Sequence, residues 1–151
     1  MAKVYPGQNL SQEDIIEMLA RRQIQPTQQR IRIAEVLFAR RQHLSADQVL
    51  ALVNDGPVHV SKATVYNTLG LFAEKGLVRQ VIVDPSRVFY DPNTEEHHHF
   101  YNVDTGALTD IDADSLALAG LPELPAGTVS DGVDIIIRIR EQVPGRDRAG
   151  G

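Results

Sequence analysis

The residues best equipped for chemistry stand together in Glu95-Glu96-His97-His98-His99, which holds three of the five histidines of this 151-residue chain. The run is internal and leads directly into Phe100-Tyr101-Asn102-Val103, so it reads as the start of a β-strand. Side chains alternate along a strand, which puts His97 and His99 on one face and Glu96 and His98 on the other. Imidazoles two residues apart on one face can share a metal ion. The spacing therefore points to a metal or haem site.

The elements that must position these residues are bounded by composition. The chain has no cysteine, so disulfides, thiolate zinc sites and iron–sulfur clusters are excluded, and a metal here takes nitrogen and oxygen donors. No secretory signal and no apolar run of membrane-spanning length stands in it, and a cytoplasmic protein with no membrane partner is expected. The net charge of −5 is unevenly spread. Residues 1–82 carry ten Lys/Arg against seven Asp/Glu, a net +3, and residues 83–151 carry five against thirteen, a net −8. That asymmetry suits a basic module able to approach phosphate and an acidic module with another task.

Along the positive half, Ser11 can cap a helix with Ile15, Ile16 and Leu19 at helical spacing. Pro26-Thr27 opens a second helix, 28–40. Ser45-Ala-Asp-Gln48 is a capping-box pattern ahead of a third, which Asn54-Asp55-Gly56-Pro57 stops. Ser61 caps a fourth helix, 62–75, closed by Gly76. Residues 77–83 and 88–90, around Asp84-Pro85-Ser86-Arg87, form a β-hairpin. Helices followed by a hairpin make a winged helix–turn–helix whose recognition helix starts after Ser61. Tyr66 lies in its first turns, where a ring can meet a thymine methyl, and Asn67 can bond adenine bidentately. Thr64 shares that segment, and Lys62 and Arg79 are candidate phosphate contacts.

After a polar linker, the histidine strand turns at Asp104-Thr105-Gly106 into a second hairpin strand, 107–111. A short helix is expected over 114–119, a loop over 122–127 and a β run over 133–140. The unbroken Ile135-Ile136-Ile137 predicts burial on both faces, as at a dimer interface. The fold class expected is α+β. A winged-helix domain spans 1–91, a small α/β dimerisation and sensing domain spans 92–143, and a disordered tail spans 144–151.

Pro26-Thr-Gln-Gln-Arg30, His43-Leu-Ser-Ala-Asp47, Ala63-Thr-Val-Tyr-Asn-Thr-Leu69, Glu74-Lys-Gly-Leu-Val78 and the histidine strand follow one another at the spacing of the ferric uptake regulator family. The resemblance spans nearly all of residues 20–140. Within the family, the missing cysteines and the triple histidine most resemble the iron response regulators of alpha-proteobacteria. The resemblance implies a homodimeric, metal-dependent transcription regulator, a repressor bound to a double-stranded DNA operator, with an N-terminal winged helix and a C-terminal dimerisation domain.

It also implies roles for single residues. His43 matches the histidine that reaches from the DNA-binding domain to join His97 and His99 in one site for iron, manganese or zinc. The acidic ligand at the end of the wing falls on Tyr90, with Asp91 beside it, so a phenol has replaced it or Asp91 has taken its place. Asp110 matches the strand carboxylate that completes the site. Glu96 and His98 stand where a second site begins. Its remaining positions fall near Ala117 and Val133, which cannot bind metal, leaving Asp112 or Asp114 as substitutes. The cysteine pair that holds structural zinc becomes Asn102 and Thr105. Tyr66 matches a base-contacting tyrosine, the arginine after it is Asn67, and the minor-groove lysine position reads Gln25. With no Cys-Pro pair, haem would need histidine, and His98 is the candidate.

One ion bound by His43, His97 and His99 would fix two modules against each other, and so set the separation of the two recognition helices in a dimer. The alternative from another class is a small zinc hydrolase using the three histidines around an open metal position. Adjacent strand residues cannot all face one ion, and the chain has no HExxH helix and no nucleophile elbow.

Overall fold

A computed structural model describes residues 10–40, 42–95 and 97–143. Glu96 and the tail at 144–151 lie outside the described residues. The chain divides after Glu95 into two compact units.

The N-terminal unit begins with α1 (Gln12–Arg21), where the Ser11 side chain accepts from the Asp14 amide and the Asp14 carboxylate accepts from the Ser11 amide. These reciprocal bonds satisfy two amides that the helix start would otherwise leave bare. α1 ends with Gln23 in the left-handed region at φ 59°, and the Ile24 amide reaches back to the Leu19 carbonyl. Thr27 caps α2 (Gln28–Phe38). Ser45 and Gln48 form the expected capping box at the head of α3 (Ala46–Val53). Ser61 caps α4 (Lys62–Glu74), which closes at Gly76 with φ 74°.

The loop between α3 and α4 is clasped by one side chain. Asn54 accepts from the Val60 amide at 2.7 Å and donates to the Val60 carbonyl at 2.9 Å. Val65, Leu69 and Phe72 of α4 are fully buried with Leu19, Ile33, Leu37, Val49 and Val53. Each such side chain contributes about 1.5–3 kcal/mol relative to exposure. That packing leaves Lys62, Tyr66 and Asn67 on the exposed face of α4.

The wing is β2 (Arg79–Asp84) and β3 (Arg87–Asp91), with a two-residue strand, β1 (Leu44–Ser45), on the other side of β3. β1 was not expected from the sequence, because its two residues are too few to show a period. The antiparallel register pairs Leu44 with Tyr90 and Ser45 with Phe89.

The C-terminal unit is a mixed sheet of β4 (His98–Asn102), β5 (Leu108–Ile111) and β6 (Ile136–Ile139), ordered β5-β4-β6. β4 pairs with β5 antiparallel and with β6 parallel. The turn after β4 is built by Asn102, whose side-chain oxygen accepts from the amides of Asp104 and Thr105 at 2.9 and 3.1 Å. Its amide group donates to Glu141 at 2.8 Å, and the Glu141 amide donates to Asp104 at 2.8 Å, which fastens the end of β6 to this turn.

Two expectations are corrected here. The helix expected over 114–119 is a single 3-10 turn, Ala113–Ser115, started by Asp112. Leu116 is already extended, at φ −135° and ψ 120°, and a segment that short gains too few hydrogen bonds to offset nucleation. The run 133–140 is strand only at Ile136–Ile139, with Ile135 and Ile136 half-buried and Ile137 and Ile139 39% and 40% exposed. β6 is an edge strand of this three-stranded sheet, with one of its sides left without a strand partner among the described residues.

Candidate metal centre and nucleic-acid face

Each unit brings donor groups together by strand register. In the N-terminal unit, the pairing of Leu44 with Tyr90 carries His43 opposite Asp91. Nε2 of His43 stands 3.0 Å from Oδ2 of Asp91, both side chains largely buried, while Oδ1 of Asp91 accepts from the Asn93 amide. Tyr90 takes the opposite face of β3 and lies in the hydrophobic core.

In the C-terminal unit, His99 and Asp110 are partners across β4 and β5. His97, two residues earlier, shares the face of His99, with ring centroids 4.5 Å apart. Nε2 of His97 and Nε2 of His99 each lie 3.3 Å from the same oxygen, Oδ1 of Asp110. His99 is fully buried and Asp110 half exposed, so the carboxylate closes the cluster on its solvent side. Two imidazoles and a carboxylate form a donor set suited to zinc, iron or manganese, and their donor atoms lie within 4.8 Å of one another.

His98 faces away from this cluster. Its Nδ1 accepts the Ile135 amide hydrogen at 3.0 Å, while the Ile135 carbonyl accepts from the His99 amide at 3.1 Å. The three histidines therefore do not surround one ion. The hydrolase alternative, which needs them to, fails on the alternation of β4. Of the second-site candidates, Glu96 lies outside the described residues. Asp112 is occupied as the cap of the 3-10 turn, and Ala117 and Val133 lie in irregular segments.

On the opposite unit, α4 presents the candidate DNA contacts. Tyr66 is 43% exposed, Asn67 is exposed beside it, and the Lys62 ammonium lies 5.6 Å from the Tyr66 ring centroid. Thr64 sits in the cap, its hydroxyl oxygen accepting from Ser61 at 2.9 Å. Arg79, half-buried on β2, donates to the Glu95 carbonyl at 3.5 Å. Gln25 is exposed after α1, its carbonyl accepting from Arg30. Sequence reasoning missed Asp47, reading it only as part of a capping pattern. The Tyr66 hydroxyl donates to its Oδ1 at 2.9 Å. That bond to the carboxylate, above all, holds the Tyr66 phenol above its ordinary pKa.

A family model described as the ferric uptake regulator family matches residues 21–120. The chain belongs to this family. Among curated relatives it is 30% identical over 99 residues to the peroxide-responsive repressor PerR of Staphylococcus saprophyticus, covering 66% of this chain and 67% of that protein. It is 29% identical over 99 residues to PerR of Staphylococcus aureus, with the same coverage. Among solved structures it resembles the ferric uptake regulator of Vibrio cholerae, with a TM-score of 0.66 and 19% identity over 83% of this chain and 98% of that one. The manganese-containing regulator of Pseudomonas aeruginosa gives a TM-score of 0.63 and 22% identity over 84% and 97%. Regulators of the ferric uptake regulator family are dimeric DNA-binding proteins, and no helix among the described residues is long and apolar enough to cross a membrane. At Asn102 and Thr105, where the resemblance implied a cysteine pair in other members, the structure has the hydrogen-bonded turn of Asn102.

Proposed function

We propose that this protein is an iron- or haem-responsive repressor of iron-homeostasis genes, acting as a homodimer on a DNA operator in the cytoplasm. The observation that carries its metal dependence is the convergence of His97 and His99 on one oxygen of Asp110. A bound divalent ion supplies a fixed positive charge that both imidazoles and the carboxylate can share. His99, rigid and buried on β4, sets the position, and Asp110, half exposed, completes the donor set from β5. A solved family member contains manganese, another iron, and a third, a manganese uptake regulator, is zinc-bound.

On the family resemblance we extend the ligand set to His43 and Asp91. His43→Ala should then weaken divalent-ion binding at least about tenfold. Unchanged affinity confines the centre to His97, His99 and Asp110.

The deciding experiment titrates manganese, zinc or ferrous ion into chelator-treated protein and follows mobility shift of duplex DNA. Metal-dependent, sequence-selective retardation that Asp110→Ala abolishes is expected. Metal-independent binding, or none, overturns the reading. The haem reading is tested by replacing His97, His98 and His99 together with Ala. Haem-driven release of DNA that persists in this variant with wild-type sensitivity overturns it.

A further inference from the structure

The recognition helix does not present Tyr66 alone. Asp47, in the first turn of α3, lies against it, with the phenol hydroxyl donating to the carboxylate at 2.9 Å. A phenol has a single proton and a carboxylate has none. Because that proton is committed to Asp47, both the Tyr66 oxygen and the remaining carboxylate lone pairs can only accept. Both side chains are exposed on the helix–turn–helix.

We propose that Asp47 and Tyr66 together form an acceptor-only reading head that selects a base carrying an amino group in the major groove, cytosine before adenine. This rests on the DNA-binding reading above. Cytosine presents only its N4 amino donor at that edge, whereas adenine adds the N7 acceptor beside its N6 amino group. Guanine offers N7 and O6, and thymine offers O4, so either base opposite these oxygens would set acceptor against acceptor and leave desolvated oxygens unpaired. A thymine methyl at a neighbouring step can still meet the carbon edge of the Tyr66 ring. An isolated tyrosine would not discriminate in this way, since its hydroxyl could turn and donate to O6 or O4. Asp47 removes that freedom and is the specificity-determining residue. The carboxylate also repels phosphate, and the Lys62 ammonium near the Tyr66 ring supplies the compensating charge.

The test is selection of duplexes from a randomised pool by manganese-loaded full-length protein, with sequencing of what is bound. Wild-type protein, Asp47→Asn and Tyr66→Phe are compared, and their folding is checked by thermal melting. The wild type should favour cytosine or adenine about tenfold at one position of each half-site. Asp47→Asn, which introduces a donor, should reduce that preference to less than about threefold while leaving affinity for random DNA as high or higher. Tyr66→Phe should lose the preference at the same position. Asp47→Asn protein that keeps the wild-type base preference at every position overturns the proposal. So does an equal loss on all sequences, which marks Asp47 as merely structural. A wild type that selects no sequence at all refutes the regulator reading, and this inference with it.

Discussion

The backbone amide of Ile135 donates to Nδ1 of His98 at 3.0 Å, so the neutral imidazole carries its proton on Nε2. A histidine that binds metal or haem through Nε2 ordinarily keeps its proton on Nδ1 and donates it to a neighbour. Here Nδ1 is the acceptor that starts the β4–β6 pairing. A ligand that takes His98 must therefore displace Ile135.

His98→Ala should lower protection of the Ile135 amide against hydrogen exchange by about 1 kcal/mol, while His98→Asn, which keeps an acceptor, should lose less. Haem binding that leaves Ile135 protection unchanged would show that haem does not engage His98.

Ile137 and Ile139 are 39% and 40% exposed on the edge strand β6. Ile137→Asp should shift sedimentation from dimer to monomer and weaken operator binding at least about tenfold, because one recognition helix then acts alone. A variant that remains a full-affinity dimer moves the interface away from β6.

Gln23 occupies the left-handed conformation that closes α1, at φ 59°. A side chain is strained there and glycine is not. Gln23→Gly should raise unfolding stability by about 0.5 kcal/mol, once the greater freedom of glycine in the unfolded chain is set against the relief of strain. A lower midpoint in urea would contradict this.

At the tip of the wing, the Ser86 hydroxyl and amide donate to Oδ1 of Asp84 at 2.7 and 2.8 Å. The hydroxyl bond first, then the amide bond, holds the Asp84 carboxyl below the ordinary aspartate range. Its contribution to stability is present above the unfolded-chain pKa and is lost as pH falls through the lower folded value. Ser86→Ala should move the Asp84 carboxyl-carbon titration upward. No movement would remove the hydroxyl as cause.

Much of the N-terminal unit was legible because its signals are local. Ser11, Ser45 and Ser61 each announce a helix within three residues, and Val65, Leu69 and Phe72 keep the period that buries them. The pairing of β6 beside β4 in parallel was not legible. It joins residues 99 and 136, and no local pattern records so distant a partner. In the candidate centre, His97 and His99 followed from alternation alone. The placing of Asp91 beside His43, with Tyr90 on the other face of β3, did not, because it depends on β1, a strand of two residues. Asp47 was hidden for a related reason, since its partner lies nineteen positions away on another helix.

The Asn102 turn gives this protein a practical independence. Its bonds run from amide to carboxylate and from backbone to side chain, with no thiolate anywhere in the chain. With an ion at the proposed centre of His97, His99 and Asp110, a chelator that strips it would leave these bonds intact, and neither a reductant nor a thiol oxidant has a target in them. Loss of response can therefore be separated in the test tube from loss of scaffold, a distinction that a thiolate-stapled sheet would blur.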